Sequence, residues 1–130
     1  MTGGVYLLDK PPGITSRKAA REVANCFGFR KYGHCGTLDP DATGLLVILL
    51  GRATRLADTL SGGDKRYGFT LVTGLSTDTL DLSGRVLQEA DNSLVTRAGI
   101  MEATKALTGT FSQEVPHFSA VRVNGKRAYE

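Results

Sequence analysis

Leu45 to Leu50 is an unbroken apolar run, and directly before it lies Gly33 to Gly44, a segment with three glycines, one proline, two aspartates and no hydrophobic period. A short run that is apolar at every position has no polar face to offer water, so it predicts a buried strand fed by a long loop. The run is far shorter than the roughly 20 residues that cross a bilayer, and no charged-then-apolar leader opens the chain. The expectation is a cytoplasmic protein with no membrane partner.

The rest of the chain supplies elements to cover such a strand. Val5 to Leu8 reads as a short strand ending at Asp9, and Lys10-Pro11-Pro12-Gly13 must turn, because neither proline can donate a backbone hydrogen bond. Ser16 reads as an N-cap. From Arg17 to Phe27 the apolar positions Ala20, Val23, Ala24 and Phe27 recur at three- and four-residue steps, which predicts one buried helical face stopped by Gly28. Ala53 to Leu60 reads as a short helix closed by Gly62-Gly63, and the alternation from Tyr67 to Thr73 as a strand. Ser76 to Gly84 reads as a surface loop, and Val86 to Gln88 as a strand that continues the sheet. Thr96 caps a helix reaching about Leu107, and Gly109 ends it. Ala120 to Val123 and Lys126 to Tyr129 flank Asn124-Gly125, a strong hairpin signal. Strands outnumber helices and several are hairpin neighbours. The fold class expected is α+β, with a mixed, mainly antiparallel sheet and helices packed on it.

A chain of 130 residues, 41% hydrophobic and 22% charged, can bury a core and reads as one globular domain. The formal net charge of +3 permits a polyanionic partner without requiring one. Basic residues do cluster, at Arg17, Lys18 and Arg21, at Arg30 and Lys31, at Arg52 and Arg55, and at Lys65 and Arg66. Any single cluster is equally well read as a solvated face. Cys26 and Cys35 have neither zinc-like spacing nor a cysteine framework around them, so free thiols are expected.

The Gly-rich loop is where chemistry is expected, because a loop at the mouth of a buried strand holds polar side chains on a rigid support. A carboxylate there can be partly desolvated, while loop amides favour its charged form; an Asp between these effects can serve as nucleophile or base. On residue types alone, a turn in which Asp39 and Asp41 bond local amides is the commoner outcome.

The run Gly33-His34-Cys35-Gly36-Thr37-Leu38-Asp39-Pro40-Asp41-Ala42-Thr43-Gly44-Leu45-Leu46 resembles the active-site motif of the TruB family of pseudouridine synthases, G-H-x-G-T-L-D-P-x-A-x-G-L-L. Lys10 to Ser16 is similar to that family's K-P-x-G-x-T-S element, and Lys65-Arg66-Tyr67 to its lysine-to-tyrosine motif. Thr77-Asp78-Thr79, with Asp81 and Gly84, resembles T-x-T-x-D-x-x-G, and Gln113 to Glu130 the Q-x-P-P-x-Y/F-S-A-x-K-x-x-G-x-x-A-Y-E block. In that block Arg122 replaces the usual lysine. The chain stops at Glu130, just before the A-R of the family's Y-E-x-A-R, whose arginine pairs with the aspartate. The resemblance therefore implies the N-terminal part of a catalytic domain over residues 1–130, without the C-terminal RNA-binding domain, and an activity weaker than that of the whole enzyme.

The resemblance implies isomerisation of a uridine in tRNA, customarily uridine 55 of the T-loop, with no metal and no organic cofactor, by a monomer. Asp39 would be the catalytic aspartate. Enzymes acting on a stacked base extrude it, and the vacated or flipped position needs a flat ring to stack on. The resemblance implies that Tyr67 stacks on the target uracil, where it could help remove the C5 proton, and that His34 packs in the loop opened by flipping. Lys10, Gly36, Thr37, Leu38 and Pro40 would support the loop, Lys10 by bracing rather than by reaching a phosphate and Thr37 through a bond to backbone. Two other readings stand beside this one. The fragment is an RNA-binding module without turnover, or Asp39-Pro40-Asp41-Ala42-Thr43 is the D-x-D-x-T nucleophile of a magnesium-dependent aspartyl-phosphate phosphotransferase. That motif follows an apolar strand, whereas the apolar run here comes after it.

Overall fold

The computed structural model describes residues 2–113 and the strands at 122–123 and 126–127. The chain divides into two compact units, Met1–Tyr67 and Gly68–Glu130.

The first unit is built on a three-stranded antiparallel sheet of β1 (Gly3–Lys10), β2 (Tyr32–Cys35) and β3 (Gly44–Gly51), in the order β1-β3-β2. The apolar run is therefore the central strand, paired to β1 from Gly3↔Gly51 to Lys10↔Gly44 and to β2 from Tyr32↔Leu50 to Cys35↔Val47. Helix α1 (Ser16–Cys26) connects β1 to β2, which both run antiparallel to the strand between them. Alternation sorts the side chains of β3. Leu46, Ile48 and Leu50 form one buried cluster with Ala19, Ala20 and Ala24 of α1, with Leu8, Ile14, Val23, Phe29, Tyr32 and Leu38 packed around it. Small alanines on the helix let it lie close against the branched side chains of the strand. Leu49, on the other face, is also fully buried. The 3₁₀ turn Arg52–Leu56 and the short helix α2 (Ala57–Ser61) follow β3, and the Thr54 methyl stands 3.9 Å from where Gly33 would carry a Cβ on that face.

Helix α1 differs from the expectation at its start. Its N-cap is Thr15, whose Oγ1 accepts from the Lys18 amide at 3.2 Å, and Ser16 is the first helical residue, its hydroxyl turned elsewhere. At its other end Gly28 takes φ 71°, its amide donating to Asn25 O at 3.1 Å and that of Phe29 to Ala24 O at 2.9 Å. Those two bonds are the Schellman closure that only a residue free to enter the left-handed region accommodates at low cost.

In the second unit, β4 (Leu75–Thr77) and β5 (Val86–Glu89) form an antiparallel hairpin, followed by α3 (Arg97–Ala106), capped by Thr96 Oγ1 accepting from the Gly99 amide at 3.1 Å. Strand β5 thus pairs within its own hairpin and does not extend the first sheet. The segment Ser76 to Gly84, expected as a loop throughout, gives its first residues to β4 and turns thereafter. Strands β6 (Arg122–Val123) and β7 (Lys126–Arg127) pair antiparallel with Val123↔Lys126, the hairpin expected around Asn124-Gly125; Ala120, Val121 and the residues from Ala128 to Tyr129 lie outside the described residues. The protein is α+β, with every described strand pair antiparallel. Among the described residues no helix is long and apolar enough to cross a membrane. The strand expected from Tyr67 to Thr73 is absent: that segment is irregular and mostly exposed. Alternation prepares a segment for a sheet but cannot hold it extended without a partner strand, and none of the described strands pairs with it.

Candidate active site

The loop expected from Gly33 to Gly44 is shorter than the composition implied, because Gly33, His34 and Cys35 belong to β2. What remains, residues 36–43, crosses from β2 to the central strand beside the end of β1. Two backbone anchors hold it. The Ser16 hydroxyl donates to Leu38 O and accepts from Leu38 N, both at 2.9 Å, so one side chain at the start of α1 satisfies both polar groups of that residue. The Pro40 carbonyl accepts from the Gly13 amide at 2.8 Å and from Lys10 Nζ at 2.9 Å. Leu38 also packs its half-buried side chain against the core cluster.

Asp39 sits between these two pinned residues and is itself exposed. The partial burial expected for its carboxylate is not found. Leu38 turns inward for its apolar side chain and Pro40 for its carbonyl, which leaves the residue between them directed outward. A local turn, the Ala42 amide donating to Asp39 O at 3.1 Å, closes the far side of the loop.

Lys10 explains how the first turn can carry this load. The residue is fully buried, and its ammonium donates to Pro11 O at 2.8 Å, Ile14 O at 2.9 Å and Pro40 O at 2.9 Å. Three donors meet three carbonyls, which is the condition under which a buried ammonium is tolerated without a carboxylate. Neither Pro11 nor Pro12 has an N–H to compete for those carbonyls. With its donors spent internally, Lys10 is unavailable to a phosphate.

His34 is half-buried on β2, with Nδ1 2.6 Å from Gly36 O. A carbonyl accepts only, so Nδ1 is the donor in this bond, which fixes the orientation of the ring. Thr37 and Tyr67 are both exposed. The anchoring expected from Thr37 is supplied instead by Ser16; among the described residues the Thr37 hydroxyl makes no hydrogen bond. Tyr67 lies on the irregular segment after α2, held by no strand or helix. The structure therefore assembles Lys10, Gly36, Leu38, Asp39, Pro40 and His34 around one loop, while Tyr67 stands apart from any fixed element. Ser16 is the participant that sequence reasoning missed: it lies inside the K-P-x-G-x-T-S element but reads as a helix cap. Cys35 and Cys26 are free thiols, and among the described residues no three His, Cys, Asp or Glu side chains group as a metal site would require.

The T-x-T-x-D-x-x-G element forms the turn of the β4–β5 hairpin. Asp81 Oδ1 accepts from Ser83 Oγ at 2.6 Å, Thr79 Oγ1 at 2.8 Å and the Ser83 amide at 2.8 Å, and Asp78 Oδ1 accepts from the Arg85 amide at 2.9 Å. The hydroxyl of Ser83, then that of Thr79 and the Ser83 amide, hold the Asp81 carboxyl below its ordinary range.

The three-stranded antiparallel sheet and α1 thus present Asp39 outward on a loop anchored at Leu38 and Pro40. The family described as TruB family pseudouridylate synthase (N terminal domain) matches residues 24–130. The chain is 46% identical over 127 residues to tRNA pseudouridine synthase B of Syntrophobacter fumaroxidans, which covers 98% of this chain and 42% of that protein. It is 44% identical over 126 residues to tRNA pseudouridine synthase B of Syntrophus aciditrophicus, covering 97% and 40%. Among solved structures, a chain in "Structure of H/ACA RNP bound to a substrate RNA containing 2'-deoxyuridine" is similar at 43% identity and a TM-score of 0.42, over 45% of this chain and 18% of that one. The chain belongs to the TruB family of pseudouridylate synthases. It spans about two fifths of the length of these curated relatives.

Proposed function

We propose that the protein contributes the aspartate-bearing part of a tRNA pseudouridine synthase, isomerising a uridine of the T-loop, customarily uridine 55, in the cytoplasm and without a cofactor. The observation that carries this reading is the placement of Asp39, solvent-facing between Leu38 and Pro40, each bonded to the turn that precedes α1 or to the first residue of that helix. A base swung out of its stack has to reach the catalytic group while still attached to its strand, and an outward carboxylate on a rigid mount is accessible to it.

The reaction breaks the bond between N1 of uracil and C1′ of ribose, joins C1′ to C5, releases the C5 hydrogen as a proton, and leaves N1 carrying a proton taken up in its place. Asp39 serves as the nucleophile or as the base that starts this sequence. His34, fixed by its bond to Gly36 O, and Tyr67 stack against the displaced bases, which supplies the interaction an extruded base loses when it leaves the helix. Lys10 and Ser16, through Pro40 and Leu38, keep the loop in place, and Gly36 accepts the bond that fixes His34. The phosphotransferase reading is disfavoured by what precedes the aspartate: β2, with the sequence Tyr-Gly-His-Cys, is not the apolar strand on which such a nucleophile sits.

Tritium release from tRNA carrying 5-tritiated uridine tests the proposal. In a chain extended to the full length of its relatives, Asp39→Asn preserves size and removes the charge, and is expected to abolish release while tRNA binding persists. Turnover by the Asn variant, or phosphate release that needs magnesium and is lost in Asp39→Asn, would overturn the assignment.

A further inference from the structure

A cleft of about 410 Å³ lies at the far end of α1 from the Asp39 loop, lined by Arg21, Asn25, Gly28, Phe29, Arg30 and Tyr32. Its lining holds two guanidinium groups, one amide and two aromatic rings, and no carboxylate. Arg21, Asn25 and Arg30 are exposed, whereas Phe29 and Tyr32 are half-buried and packed against the core. The walls are set by backbone. The Schellman closure at Gly28 fixes the exit of α1 and thereby Phe29 and Arg30. The Phe29 ring lies where a Cβ on Gly51 would stand only 2.9 Å away, so glycine there makes room for the ring. The Gly51 amide donates to Lys31 O at 2.8 Å, tying the segment to the end of the central strand.

We infer that this cleft is a docking site for the RNA strand flanking the target nucleotide, an inference that rests on the RNA-modifying reading above. Guanidinium forks match phosphate oxygens, and a cleft with no acid repels no anion. The half-buried rings offer the partial stacking surface that unpaired bases use, which an acidic peptide would not need. Position supports the same occupant. Helix α1 and strand β2 both run between the cleft and the Asp39 loop, a span of about 10 to 15 Å at 1.5 Å per helical residue and roughly 3.3 Å per strand residue. That span corresponds to about three to four nucleotide steps of a duplex strand, at roughly 3.4 Å of axial rise each. A nucleotide at Asp39 therefore brings phosphates of its own strand within reach of Arg21 and Arg30.

The experiment measures binding of a tRNA transcript to the whole chain by fluorescence anisotropy across a salt series. Three proteins are compared: the unaltered chain, Arg21→Gln/Arg30→Gln, and Arg17→Gln/Lys18→Gln, which removes the same charge from α1 outside the cleft. Circular dichroism checks folding of each. The cleft variant is expected to bind at least tenfold more weakly and to lower the slope of log affinity against log salt by about 1 per arginine, with a smaller effect from the control. Equal slopes for the two variants overturn the cleft and leave RNA binding standing, whereas failure of the unaltered chain to bind tRNA overturns both. Competition at the cleft by polyglutamate as strong as that by polyuridylate of equal charge overturns RNA as the occupant.

Discussion

One of the two anchors of the aspartate loop is a single hydroxyl, which makes Ser16→Ala the most informative perturbation. In the native chain Ser16 Oγ both donates to Leu38 O and accepts from Leu38 N at 2.9 Å. Each such bond contributes about 1 kcal/mol net, and a buried polar group left without a partner costs about 1 to 3 kcal/mol. Leu38 is half-buried, so water can reach its amide in part, and alanine in the first turn regains about 0.5 kcal/mol of helix propensity. The net loss is therefore about 2 kcal/mol. With a urea slope of about 2 kcal/mol per molar, the unfolding midpoint should fall by about 1 M. In a full-length active chain, the same loosening lowers the rate by up to about 30-fold, since each 1.4 kcal/mol is tenfold. Thr15→Ala is the control: it deletes the bond to the Lys18 amide and costs about 1 kcal/mol, yet touches nothing in the loop. The two readouts should separate, both variants losing stability and only Ser16→Ala losing turnover in single-turnover tritium release. A midpoint within about 0.2 M of the unaltered chain, or equal rates for the two variants, would refute the reasoning.

Two further outcomes follow from the same geometry. Lys10→Met keeps the length of the side chain but orphans Pro11 O and Ile14 O, while Pro40 O retains the Gly13 amide; a loss of about 2 to 4 kcal/mol is expected by urea denaturation, and an unchanged midpoint would show that the ammonium does not brace the turn. Because hydrogen bonds from Ser83 and Thr79 lower the Asp81 carboxyl, its contribution to the β4–β5 turn is present above the ordinary value of 3.8 and is lost as pH falls through the lower folded value. Carbon-detected NMR titration should place the Asp81 midpoint below 3.8, and Ser83→Ala should raise it; a midpoint at or above 3.8 in the unaltered chain contradicts the turn geometry.

The division between what sequence and tertiary structure decide is visible in particular residues. The Leu45 to Leu50 run, the alanine-spaced face of α1, the Gly28 stop and the Thr96 cap depend on local period and local backbone chemistry, and each was legible, although Leu45 and Phe27, expected among the buried positions, are exposed. The G-H-x-G-T-L-D-P run likewise singled out the loop, and with it the family, because a motif of that length is specific whatever surrounds it. Local signals could not show that Ser16 would leave capping to Thr15 and bond Leu38 instead, since a hydroxyl at a helix start suits either role and only the packed loop selects between them. Nor could they show that the Lys10 ammonium would be fully buried, because lysine is ordinarily a surface residue and three carbonyls converge on it only when the Pro-Pro turn meets Pro40. Alternation from Tyr67 to Thr73 misled for the complementary reason: a strand is a property of a pair, and pairing is decided by which chains lie alongside. Asp39 was legible as the residue of interest, but its outward presentation was not, because it follows from long-range bonds that pull Leu38 and Pro40 inward on either side of it.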